Sequence, residues 1–110
     1  MKFAIMAPTY RNNSAGVRVL HRLCHLLNKA GHEACMTTNI TNPEWDCPTM
    51  IKFKADMIAI YPETVSGNPL KAERVIRYVL NVPGLLGGEK TYDSKELVYV
   101  YSESLLDAVN

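Results

Sequence analysis

The sequence predicts one α/β domain, a parallel sheet with helices on both faces. Two short runs, Phe3–Ala7 and Met57–Ile60, are apolar without alternation, the pattern of strands buried on both sides. An amphipathic stretch over Ala15–Ala30 leads after only Gly31 and His32 into a third run, Glu33–Thr38. A strand, helix and strand joined so tightly make a right-handed crossover unit. At 110 residues the chain has the length of a single domain.

The elements follow in order. The first strand stops at Pro8. Ser14 is the N-cap of the helix that follows, and Gly31 ends it. On that helix Leu20, Leu23, Cys24 and Leu27 recur at helical spacing and form the core face, while Arg18, Arg22, His25 and Lys29 lie mainly opposite. Asn39–Pro48, with two prolines and the single tryptophan, is expected to be a loop. Met57–Ile60 closes at Tyr61-Pro62. Asn68-Pro69 then has the form of a cap and first turn, and Ala72, Val75, Ile76, Val79 and Leu80 at helical spacing predict a second helix with a Glu73–Arg77 pair on its polar side. After the Pro83-Gly84 stop and the Gly87-Gly88 turn, Leu97–Tyr101 is the last strand, and Ser102–Val109 begins a third helix. The whole is a Rossmann-like arrangement.

Composition excludes several classes. The chain is 47% hydrophobic and 21% charged, as in ordinary folded domains, and a net charge of +1 gives no footprint for nucleic acid. No apolar run approaches the roughly 20 residues that cross a bilayer. Cys24, Cys35 and Cys47 form no CxxC pair and are odd in number, which predicts reduced thiols and a cytoplasmic location. There is no GxGxxG after the first strand, no acidic residue ending the second, no Walker A sequence and no GxSxG elbow. His21 and His25 have metal-compatible i, i+4 spacing but no evident third ligand, so no metal site is assigned.

In a parallel sheet the loops that follow the strands share one edge, where ligands collect. Three loops meet there: Tyr10–Gly16, Glu63–Asn68 and Ser102–Ser104. The first offers Tyr10, Arg11, Asn13, Ser14 and Gly16 at a helix start, with Arg18 one turn in, a set suited to phosphate or carboxylate oxygens. The second offers Glu63, Ser66 and Asn68, which suit sugar hydroxyls or a phosphate. Each set also has a purely structural role open to it, with Ser14 and Asn68 as helix caps, Gly67 as a turn and the arginines in solvent.

Ala7-Pro8-Thr9-Tyr10, Ser14-Ala15-Gly16-Val17-Arg18-Val19-Leu20 and Leu26-Leu27-Asn28-Lys29-Ala30-Gly31-His32-Glu33 resemble the opening of GT-B glycosyltransferases. Tyr61–Leu70 and Arg77–Gly84 resemble a stretch of bacterial and phage sugar transferases of surface-polysaccharide type. The resemblance implies an N-terminal, acceptor-side domain spanning residues 1–110, with the donor-binding domain lying outside this sequence. It implies that Gly16 and Arg18 face the donor phosphates and that Tyr10, Arg11, Asn13, Glu63, Ser66 and Asn68 line the cleft. A nucleotide sugar would be co-substrate rather than a tightly bound cofactor, and a carbohydrate the acceptor. A homodimer or a complementing C-terminal domain would be the protein partner. No catalytic base is assigned, and the isolated chain is expected to be inactive, because little in it could stabilise charge on a leaving pyrophosphate. Two other readings fit the same residues: a binding or assembly module without transfer activity, and a small nucleotide-binding regulator.

Overall fold

The computed structural model describes residues 1–8, 10, 14–50 and 52–109. Five strands, β1 (Lys2–Ile5), β2 (Glu33–Met36), β3 (Ile58–Pro62), β4 (Arg74–Val79) and β5 (Leu97–Val100), form one sheet in the order β2-β1-β3-β4-β5. Every neighbouring pair is parallel. This is an α/β domain of Rossmann-like type with few helices. Helix α1 (Ala15–Lys29) is the long one; a 3-10 turn at Glu103–Leu105 leads into the short α2 (Leu106–Val109) where a third helix was expected. No helix among the described residues is long and apolar enough to cross a membrane.

Helix α1 starts where Ser14, in extended conformation, accepts the Val17 amide on its hydroxyl at 3.5 Å, and it ends before Gly31 at φ 95°. Its buried residues are Val17, Leu20, His21 and Cys24, with Leu23 and Leu27 partly buried beside them. The buried stripe therefore keeps Leu20 and Cys24 of the expected one, leans to one side of it and takes in a histidine. Asn28 clips the helix to β2: its amide group exchanges hydrogen bonds with the Ala34 backbone at 2.8 and 3.0 Å and donates to the Asp46 carbonyl at 2.9 Å. The core on this face joins Phe3, Ile5, Met36, Ile58 and Ile60 to the helix.

The segment expected as the second helix is strand β4, and the expected Glu73–Arg77 pair is absent. Arg77 pairs with Glu96 instead. The reason lies in the sheet. In a strand, Val75 and Val79 fall on one face and Ile76 and Leu80 on the other, so the same apolar set that marks one helix stripe also supplies both faces of an interior strand. Val75 and Val79 are buried, and Ile76, Tyr78 and Leu80 pack against the α1-side core. Five residues of β4 register against β3, from Ile58↔Arg74 to Pro62↔Tyr78, and this tertiary pairing overrides the local spacing. The face opposite α1 is closed by Phe53, Val65 and Leu70 from irregular chain over Ala59, Tyr61, Ala72 and Val75.

Candidate functional site

The strand order reverses between β1 and β3, and the carboxyl ends of these strands open the crevice in which such sheets bind ligands. The start of α1 lies at that edge. By helix geometry the amides of Ala15 and Gly16 have no carbonyl within the helix to bond, and no acidic residue sits in the first turn to offset the helix dipole. Arg18 is exposed, one turn in. A Cβ on Gly16 would come to 3.6 Å from the Leu80 side chain, ordinary contact, so neither space nor backbone conformation requires glycine there.

Leu80, just past β4, connects the two loops. Its amide donates to Glu63 Oε1 at 2.9 Å, and Glu63 is only 2% exposed. Glu63 is thus a wall of the crevice rather than a group projecting into it. Asn68 is likewise engaged within its own loop. Its Oδ1 accepts the Tyr61 hydroxyl at 2.6 Å and the Ala72 amide at 3.0 Å, while its Nδ2 donates to the Ala72 carbonyl at 2.8 Å. It caps no helix. Burial raises the Tyr61 hydroxyl above the ordinary tyrosine range. Ser66 is exposed on this loop. Arg11 and Asn13, expected in the first loop, lie outside the described residues.

A second loop of the sequence proves central. Arg77, 1% exposed, donates from Nε and Nη2 to the Glu96 carboxylate at 2.8 and 3.2 Å, from Nη1 to the carbonyls of Pro62 at 3.4 Å and Val65 at 2.5 Å, and from Nη2 to that of Gly67 at 2.7 Å. Its guanidinium lies 5.0 Å from the ring centres of both Tyr61 and Tyr92. This one side chain fastens the 62–67 loop to the segment before β5. Gly88, at φ 78°, packs directly on the Glu63 carbonyl. Sequence reasoning missed Arg77 and Glu96. The alternation of Val75, Arg77 and Val79 along one strand face was the available signal.

Tyr10 and the histidines tie the first loop to the one after β2. The Tyr10 ring meets His21 edge-on at 5.1 Å and Trp45 at 5.9 Å, and Trp45 stacks on His25 at 6.2 Å. His25 Nδ1 accepts the Asp46 amide at 2.9 Å. His21 is fully buried, and its Nε2 donates to the Pro8 carbonyl at 3.2 Å. Both histidines thereby anchor loops. With the proton on Nε2, Nδ1 of His21 is a buried acceptor without a partner among the described residues.

Burial lowers the His21 pKa, outweighing the opposite pull of the Pro8 carbonyl. The unfolded chain then binds the proton more readily than the folded one, so stability is complete above the ordinary histidine value of about 6.5 and falls as the pH drops through it. We expect the urea midpoint to decline between about pH 7.5 and 5.5 in the parent chain and to stay flatter in His21→Gln, which keeps a donor for Pro8. Parallel curves for the two proteins would show that His21 does not control the acid limb.

Among the described residues, cavities lie elsewhere. One of about 450 Å³ lies between Cys35, Met50 and Met57, one of about 380 Å³ runs along Leu23, Ile76 and Tyr78, and one of about 360 Å³ adjoins Met1, Asp56 and Arg74. None is lined by Tyr10, Gly16, Arg18, Glu63, Ser66 or Asn68. No family model, curated protein or solved structure matches the chain.

Proposed function

We propose that the chain is the acceptor-side domain of a GT-B glycosyltransferase, taking a nucleotide sugar at the edge where the strand order reverses. The observation that carries this reading is the start of α1 at the β1–β3 switch point, with no carbonyl within the helix for the Ala15 and Gly16 amides, no first-turn carboxylate and Arg18 exposed one turn in. In this reading Gly16 admits a phosphate close to the backbone and Arg18 reinforces its charge. Tyr10 borders the crevice, Ser66 reaches the sugar side, and Glu63 and Asn68 hold the wall behind them. A second reading, a binding or assembly module without transfer chemistry, draws support from Glu63. The one carboxylate of the 63–68 loop is buried on the Leu80 amide and is not presented to an acceptor as a general base.

Calorimetric titration with sugar nucleotides and the matching free nucleotides tests the site. Saturable binding of the sugar nucleotide is expected, weakened about tenfold by Arg18→Ala through loss of a charge-assisted hydrogen bond. Gly16→Ala is expected to keep the parent's unfolding midpoint and still lose affinity, because the structure has room for the methyl group and a phosphate against the amide does not. Binding indifferent to both substitutions would remove the site from this edge. Equal affinity for free nucleotide and sugar nucleotide would favour a nucleotide-binding regulator.

A further inference from the structure

The two edges of the sheet are finished differently. Beside β2 the chain returns, with the Met36 amide donating to the Pro48 carbonyl at 2.8 Å and the Met50 amide to the Met36 carbonyl at 2.7 Å. Among the described residues β5 pairs with β4 alone. Leu97–Val100 has no proline and no charged side chain, the usual guards of an open edge. Leu97, Tyr99 and Tyr101 are 60%, 57% and 58% exposed. Leu97 and Tyr99 register with Ile76 and Tyr78, so they stand on the α1 side of the sheet.

The backbone phase follows from one bond. The Tyr101 amide donates to the Val79 carbonyl at 2.9 Å, and amides alternate direction along a strand. Leu97 and Tyr99 therefore turn their backbone groups toward β4, while Val98 and Val100 turn theirs outward. We propose that β5 is a self-association edge, on which two copies pair antiparallel about a two-fold axis at Tyr99 and merge their sheets. In this register Val98 of each copy meets Val100 of the other, and every outward amide and carbonyl of the strand finds a partner. Tyr99 faces Tyr99 in the close, non-hydrogen-bonded position, about 4.5 Å between Cα atoms. Leu97 faces Tyr101, giving aromatic and aliphatic cross-strand pairs of the stabilising kind. The same register sets Lys95 of one copy opposite Glu103 of the other, one pair of opposite charges at each end of the seam.

A closed two-fold contact of this sort stops at the dimer. Its apolar side chains leave on the order of 400 Å² exposed per copy, below the roughly 800 Å² per partner of a standard interface, so the association is weak and concentration-dependent.

Sedimentation velocity from low micromolar to several hundred micromolar is the test, combined with amide exchange at Val98 and Val100. A monomer–dimer equilibrium is expected, with exchange at those two amides slowing as concentration rises. Tyr99→Lys sets like charges face to face on the axis and should weaken dimerisation at least tenfold while leaving the urea midpoint unchanged. Tyr99→Cys should oxidise to a linked dimer, because about 4.5 Å between Cα atoms suits a disulfide, whereas Leu97→Cys and the parent should not. A monomer at all concentrations would overturn the proposal. So would a dimer that Tyr99→Lys leaves intact, growth beyond the dimer, or a monomer whose Val98 and Val100 amides are already protected.

Discussion

Replacing Arg77 by methionine should lower the unfolding free energy by about 3–5 kcal/mol, the usual cost of stranding one half of a buried ion pair. The substitution leaves the Glu96 carboxylate, 9% exposed, without its cation, and it removes the donors that serve the carbonyls of Pro62, Val65 and Gly67. Arg77→Lys should rescue little, since an ammonium group cannot span two carboxylate oxygens and three carbonyls in the plane that a guanidinium does. The double variant Arg77→Met/Glu96→Leu should recover part of the loss, because no unpaired charge then remains buried, and the residual deficit measures the orphaned carbonyls. Urea unfolding of the four proteins decides the matter. A loss below about 1 kcal/mol for Arg77→Met would place this pair among ordinary surface contacts.

Gly88→Ala should be at least as damaging as most single substitutions, on the order of 3 kcal/mol or more, since a strained backbone and an overpacked contact add together. The new Cβ would fall onto the Glu63 carbonyl, a backbone group that cannot swing aside as a side chain can. Gly67→Ala isolates the conformational part. Gly67 sits at φ 68°, close to the 78° of Gly88, with nothing within 4 Å of a Cβ, so its substitution should cost only about 1–2 kcal/mol. Thermal unfolding of both variants checks the difference. Equal losses would mean that the 63–64 backbone yields to the methyl group at no cost.

The elements legible in the sequence were those whose pattern has a single physical solution. Phe3–Ala7 and Glu33–Thr38 are strands in the structure, each shorter at its end, and Ser14 and Gly31 bound α1 as expected. The sheet and its parallel sense follow from the tight unit these make. The stretch from Asn68 to Leu80 had two solutions, because a run in which consecutive residues are apolar satisfies both a helix stripe and an interior strand. The open place beside β3 decided between them, and no local feature carries that information. The candidate site divides the same way. Ser14 was readable because an N-cap acts on its own turn. The engagement of Glu63 with Leu80 and of Arg77 with Glu96 joins residues far apart in the chain, and it exists only once β4 is a strand.

The two faces of the sheet both bury apolar surface, but they add polar contacts to it in different proportion. Against α1, Phe3, Ile5, Leu20, Cys24, Met36, Ile58 and Ile60 are held by removal of apolar surface from water. Against the 62–67 loop, much of the holding is done by a guanidinium, a carboxylate and three carbonyls. Apolar burial accounts for most of the heat capacity of unfolding and loses strength on cooling, whereas polar exposure enters that heat capacity with the opposite sign. The helix side should thus loosen first in the cold, and the Arg77 side should give the chain its grip at temperatures where α1 already frays.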